Sequence, residues 1–423
     1  MLSLKLKRIN SKNLIRISLY TILTVLIGAS HINHLELVLI TLTLISIFNV
    51  ARFSYFTIFS FVLWFSFLQE YIATINSSLA AGRLMAGLDV PIYDAELFIC
   101  VMFFYIAELI AFSSTNVVKG EKELYKRKIV IKRNTAYLFG LIAFILVLLA
   151  YPSLPSLGAT LGRDQGFISS SLVVPLALLL VAVLFDNLKH SVLLKGINVL
   201  TLIWIFFHGD RVMVMGYLIY VLLKYMNDGR FNFNTLKSII FNKRMLTVFI
   251  GVIVVVAVAI RIQITREGAA YSLTFSDLLM SMVKQGTAGD VVFAFNCSVD
   301  MWKHGNGVGI YPYLYYVSNL LPGADQSYYT AVILLEKYNT LGGGLFFTEP
   351  MISGGMILTF IHSAIFIMLV TWVFNKNTKY HSFLIIPFCL LLFRFEWYAT
   401  CAGLVKMLLY YVPFTYLMAK KLK

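Results

Sequence analysis

Charge is what this chain has least of: Asp, Glu, Lys and Arg together make up 13% of its residues, against 59% hydrophobic. Stretches such as 138–151 and 247–260 hold no Asp, Glu, Lys, Arg or His at all. A water-soluble domain draws about a quarter of its residues from those charged types, so the scarcity excludes one and points to a chain solvated by lipid. Acidic residues are scarcer still, 20 against 35 basic, leaving a formal charge of +15. The basic residues sit in short clusters between apolar stretches, which reads as membrane orientation and excludes a nucleic-acid surface. Cysteine is also rare. Cys100, Cys389 and Cys401 lie in apolar stretches and Cys297 stands alone in a more polar one, so neither disulfides nor a metal-ligand spacing is expected. There is no internal repeat and no low-complexity tract.

What is there is a succession of apolar segments. At about 17 to 25 mostly apolar residues per crossing, spans are expected near 14–31, 34–51, 53–74, 95–117, 134–151, 170–187, 191–208, 211–227, 245–263, 353–375, 381–399 and 402–419. The fold class is therefore all-α: one polytopic membrane domain over 1–423 with about twelve transmembrane helices. Basic residues precede the first span without a small-residue cleavage site after it, so a retained helix is expected in place of a signal peptide. Basic clusters at Lys5–Arg16, Lys119–Arg133, Arg230–Arg244, Lys376–Lys379 and Lys420–Lys423 all fall on one side with that span count. The positive-inside rule then gives a multi-pass inner-membrane protein with both termini cytoplasmic.

The opposite face carries a short loop, 152–171, and a large one, 264–352. The large loop is too polar to span, yet too apolar and aromatic to be a disordered tether. Asp277 and Asp325 suit the caps of interfacial helices, so a partly helical, folded lid on the outer membrane surface is expected. Pro312, Pro322-Gly323 and Gly342-Gly343-Gly344 punctuate it, and Gly305, Gly307 and Gly309 mark a flexible turn.

Ionisable groups at membrane depth are costly and hence functional candidates. Arg211 stands at an outer helix junction, Arg261 and Arg266 where the ninth span enters the large loop, and Arg163 in the short loop. Guanidinium groups suit bidentate phosphate recognition, so these four form a candidate pyrophosphate clamp. Snorkelling of Arg261 and Arg266, and pairing of Arg211 with Asp210, is the plainer alternative. Glu349, where the large loop returns to the membrane, suits a general base or a partner for a sugar hydroxyl; an acid favoured by a helix N-terminus is its plainer reading. His304, Asp290, Asp300, Asp325 and Glu336 are further polar candidates, each also an ordinary surface or capping residue. Trp302, Tyr311, Tyr313, Tyr315, Tyr316, Tyr328 and Tyr329 suit stacking on sugar rings, with an interfacial aromatic belt as the plainer reading. Arg394 and Glu396 are two apart and do not face each other on a helix.

Taken together, Gly209-Asp210-Arg211 at an outer helix junction, the late large outer loop, and Gly342-Gly343-Gly344 followed by Glu349 and Gly355 ahead of an apolar helix give the chain a familiar outline. It resembles the O-antigen or oligosaccharide repeat-unit polymerases of Gram-negative bacteria. The resemblance implies a membrane-embedded glycosyltransferase of the C type (GT-C architecture). Undecaprenyl-diphosphate-linked oligosaccharides would be both donor and acceptor, membrane lipids and a chain-length regulator protein the partners, and no metal or other cofactor is implied. Arg163, Arg211, Arg261 and Arg266 would stabilise the diphosphate leaving group, with Glu349 as the first choice of base and His304 as the second. An O-antigen ligase is the nearest alternative; such a ligase should show a histidine in the large loop, a place His304 fits. A lipid-linked oligosaccharide flippase or transporter is the other, though it should show repeated halves and a polar midplane path.

Overall fold

The computed structural model describes residues 90–112, 115–154, 167–208, 211–225, 286–318, 330–340, 344–376, 378–392 and 403–421, with single positions before 90. Among them are twelve α-helices and no strand. In chain order they are α1 Asp94–Phe112, α2 Thr115–Lys126, α3 Arg133–Ala150, α4 Ser170–Leu184, α5 Val192–Phe207, α6 Arg211–Tyr225, α7 Gly286–Lys303, α8 Ile310–Ser318, α9 Thr330–Tyr338, α10 Thr348–Phe374, α11 Lys379–Leu390 and α12 Val412–Lys421. Of these, α3 and α10 are long and apolar enough to cross a membrane. The expected spans 34–51 and 245–263 lie outside the described residues, as do nearly all of 14–31 and most of 53–74.

Contacts divide the chain into two units: 1–124 with 284–381 and 394–405, and 125–283 with 382–393 and 406–423. In the first unit α10 is the central element, packing against α1, α7 and α8. Its polarity runs inside out. Thr359, His362 and Ser363 are at most 1% exposed, while Ile357, Ile361, Ile365, Met368 and Trp372 form a stripe at helical spacing that is 42–74% exposed. In water such a stripe would be a large exposed apolar patch. The helix starts five residues before the expected 353–375 span and is broken at Gly354 (φ −153°) and Gly355 (φ +62°), the latter in a region that favours glycine. The stretch beyond the break is still about 28 Å long at ~1.5 Å per residue.

Of the large loop, the described residues 286–318, 330–340 and 344–352 are largely helical, and α7 is packed into the unit. Every residue of α7 from Val291 to Val299 is buried. Phe293, Ala294, Cys297 and Met301 of α7 share a core with Leu334 of α9 and Ile352 of α10. Burying so much apolar area, at roughly 25 cal/mol per Å², ties this segment into the unit. At the far end of α10, Gly120 of α2 lies where a Cβ would strike the Phe374 carbonyl oxygen, so the two backbones touch. The basic segment after span four is thus helical to Lys126. Val117 and Leu124 are buried on one side, while Lys119, Lys122 and Lys126 are exposed, an amphipathic pattern that the density of lysines hides.

The second unit holds α3 to α6, most of α11, and α12. Thr135, Ala136, Phe139, Gly140, Ala143, Val147 and Ala150 form the buried face of α3, and it packs on α4 and α5. Helix α5 repeats the inside-out pattern, with Asn198 and Thr201 buried and Val199, Leu200 and Ile203 exposed. Ser191 caps it, accepting from Leu194 N at 3.2 Å. The ends of these helices gather alternately. At one end Asp186 accepts from Ile129 N at 2.7 Å and pairs with buried Lys224, while Asn187 binds Ile129 O and Ile131 N. At the other end Trp204 Nε1 donates to Tyr151 O (2.9 Å), and the His208 ring stacks on Tyr151 and lies 3.0 Å from Ser153 O. That alternation follows the expected order of spans 134–151, 170–187, 191–208 and 211–227. Two departures are local: α4 passes into a 3-10 turn, Phe185–His190, and α12 is preceded by a π-helical turn, Met407–Tyr411.

Candidate functional site

The residues with the most chemistry gather in the first unit, where α7 ends. Its C-terminus is closed by Asn306 N to Met301 O (2.8 Å) and Gly305 N to Trp302 O (3.1 Å), with Gly305 at φ +73° in the left-handed conformation that ends many helices. In the last turn, Asp300 accepts from two phenols: Tyr93 OH on Oδ1 at 2.9 Å and Tyr338 OH on Oδ2 at 2.8 Å. Both phenols hold their protons more tightly than usual. Burial first, then the Asp300 hydrogen bond and charge, push Tyr93 up to about 12; the same causes in the same order raise Tyr338. Tyr93 N is fixed as well, donating to buried Asn296 Oδ1 at 3.1 Å. Asn296 opens an Asn-Cys-Ser sequon, but its burial at 2% exposure gives it this structural duty and no room for a glycan.

One turn on, His304 Nδ1 lies 2.9 Å from the Asp300 carbonyl oxygen and 3.3 Å from Asp300 Oδ1. Both neighbours are acceptors, so Nδ1 carries the hydrogen, and in the neutral ring Nε2 is left with the free lone pair. The side chain is 65% exposed. An imidazole held at one nitrogen by a carboxyl-bearing residue, with the other turned outward, is how a positioned general base is built. Beside it Lys303 pairs with Glu96 and lies 4.5 Å from the Tyr93 ring centre. Being half exposed, that pair contributes about 1 kcal/mol or less.

The turn after α7 is docked on the broken start of α10. The break at Gly354 and Gly355 releases carbonyls that a continuous helix would use, and Ile352 O accepts from Val308 N at 3.1 Å. Glu349 lies in the first turn of α10, 4% exposed, flanked by Thr348 and Ser353 at 3% each. The hydroxyls of Thr348 and Ser353 have no hydrogen-bond partner among the described residues. This start therefore stores polar groups inside the unit, whereas His304 faces out. Further along α10, buried His362 meets Tyr313 OH at 2.8 Å through Nδ1 and packs on Phe346. Among the described residues no three of His, Cys, Asp and Glu gather where they could hold a metal.

Of the residues singled out from sequence, His304 and Asp300 are brought into contact, and the segment bearing Glu349 is packed against their turn. Arg163, Arg261 and Arg266 lie outside the described residues, and Arg211 is the first residue of α6 with its side chain outside the described set. Sequence reasoning missed Tyr93 and Tyr338 entirely. Asp300 and His304 are four apart, the spacing that brings side chains together on a helix, but that signal counts only once 286–303 is read as helical. Comparison with known proteins finds no matching family model, no curated relative and no similar solved structure.

Proposed function

We propose that the chain is a bacterial inner-membrane glycosyltransferase that joins undecaprenyl-diphosphate-linked repeat units at the periplasmic face, an O-antigen polymerase in its activity. The observation that carries this reading is the His304 imidazole, oriented by Asp300 and open to an incoming hydroxyl. In the reaction, an acceptor sugar hydroxyl attacks the anomeric carbon of the donor. A new glycosidic bond forms as the bond from that carbon to the diphosphate breaks, and the lipid diphosphate leaves with the electron pair. His304 Nε2 takes the hydroxyl proton, and Arg163, Arg211, Arg261 and Arg266 stabilise the negative charge on the leaving group. Glu349, buried as it is, suits the support of the site better than proton transfer from a bulky acceptor.

The architecture in this proposal is a twelve-span bundle of the GT-C type, with the apolar stripes of α5 and α10 facing lipid and the α7 turn facing the periplasm. A positioned base contributes about 100-fold to 10,000-fold in rate, so His304→Ala should reduce the long-chain polymer ladder to traces in cells whose own copy is deleted, provided the variant inserts normally. Arg211→Ala should do likewise. A full ladder from inserted His304→Ala would sink the assignment of the base.

The same histidine favours a second reading, an O-antigen ligase passing the glycan to a lipid A core, because an oriented histidine in the outer segment is what that resemblance leads one to expect. Deleting the gene separates the two. Core capped with a single repeat unit supports the polymerase, uncapped core supports the ligase, and unaltered polysaccharide excludes both.

A further inference from the structure

Trp302 sits two residues before His304 and keeps 42% of its surface open. Two backbones hold its indole, each at a glycine. A Cβ on Gly355 would lie 2.5 Å from Nε1 and 2.8 Å from Cζ2, and one on Gly307 would lie 2.7 Å from Cε3 and 3.0 Å from Cζ3. Real Cβ atoms essentially never come so close, so neither position admits a side chain while the ring stays where it is. Gly355 is also at φ +62°, where other residues are strained. The indole is clamped to bare backbone at Gly355 and Gly307, beside the Val308 to Ile352 hydrogen bond, and keeps much of its surface open.

We propose that Trp302 is the stacking plate of a carbohydrate subsite, taking the C–H face of a pyranose ring of the acceptor. Sugar C–H groups carry partial positive charge and an indole face is negative, which makes a flat, fixed indole a partner for a pyranose and a poor one for an anion. A plate held by glycines loses little side-chain freedom when the sugar arrives, so less of the contact is offset by ordering. The proposal rests on glycosyl transfer as the activity of this site and adds to it the ring that positions the acceptor. An aromatic that merely anchors the protein at the membrane interface would have no reason to respond to free sugars.

The test is saturation-transfer NMR on the full chain in lipid nanodiscs, with methyl pyranosides of glucose, galactose, mannose, rhamnose and N-acetylglucosamine as probes. At least one should receive saturation on the protons of one ring face from the wild type. That transfer should vanish in Trp302→Ala, persist in weakened form in Trp302→Phe, and fall sharply in Gly355→Ala, where the indole is present but displaced. If Trp302→Ala does not fold, the Trp302→Phe and Gly355→Ala pair decides. Undiminished transfer in folded Trp302→Ala or Gly355→Ala overturns the proposal, and so does the absence of transfer from folded wild type to every probe. The gene deletion above stands apart from this result. Unaltered polysaccharide with Trp302-dependent sugar contact removes the transferase reading and leaves the subsite, while truncated polysaccharide without such contact does the reverse.

Discussion

At the scale of residues, one carboxylate organises the candidate site: Asp300 accepts from Tyr93 and Tyr338 and lies beside the nitrogen through which His304 is held. The two phenols come from separate segments of the first unit, 1–124 and 284–381, and meet at α7, so each hydrogen bond also fastens α7 to its surroundings. Their raised proton affinity has a measurable consequence. The Tyr93 phenol goes from 10.0 when exposed to about 12 in the fold, so the folded protein binds that proton more tightly than the unfolded chain. This stability is fully present below pH 10 and is lost as pH rises from 10 towards 12. In detergent, the melting temperature of Tyr93→Phe should therefore fall less steeply over that interval than that of the wild type. Identical slopes would mean that Tyr93 does not hold its proton against Asp300.

At the scale of elements, glycines distinguish helix faces that touch from faces that do not. In α6, a Cβ on Gly216 would meet the carbonyl oxygens of Leu390 and Cys389, the latter at 2.6 Å, and backbone cannot yield as a side chain can. In α5, a Cβ on Gly196 would meet nothing within 4 Å. Gly216→Ala should destabilise the protein by about 1–3 kcal/mol through overpacking, whereas Gly196→Ala should stabilise it by roughly 0.5–1 kcal/mol through helix propensity. Thermal unfolding of the purified variants measures both, and a Gly216→Ala protein that melts like the wild type would refute the α6 contact with 389–390. Elements were legible in sequence to different degrees for the same kind of physical reason. The segments 134–151, 191–208 and 211–227 are predominantly apolar, and their helices agree within two residues. The 264–352 segment mixes polar and apolar residues, so that α7 reads as loop until its partners on α9 and α10 account for the buried run Val291–Val299. The site suffered accordingly. His304 was visible as a candidate, Asp300 as one polar residue among several, and Tyr93, some two hundred residues away in sequence, not at all.

At the scale of the whole molecule, the proposed orientation puts the α7 turn and the α2 segment on opposite sides of the membrane. Asn306→Cys and Lys122→Cys, both at exposed positions, allow a direct check by labelling intact spheroplasts with a membrane-impermeant maleimide, the parent chain giving the background. Residue 306 should label in intact spheroplasts and residue 122 only after permeabilisation. Equal labelling of both would break the topology, and with it the periplasmic site.

The sequence by itself determined that the chain is helical, that its helices are clad in apolar residues, and in which order its apolar segments and basic clusters alternate. Those properties are local, since composition within a window of about twenty residues sets the cost of exposing it to water or lipid. Only the tertiary structure decided that Val291–Val299 of α7 is packed on all sides, that Asp300 collects Tyr93 and Tyr338, that Gly355 breaks α10, and that an indole rests on its backbone there. Each of these depends on groups far apart in the chain meeting within a few ångströms, and hydrogen bonds and steric contacts of that range leave no periodic trace in the sequence.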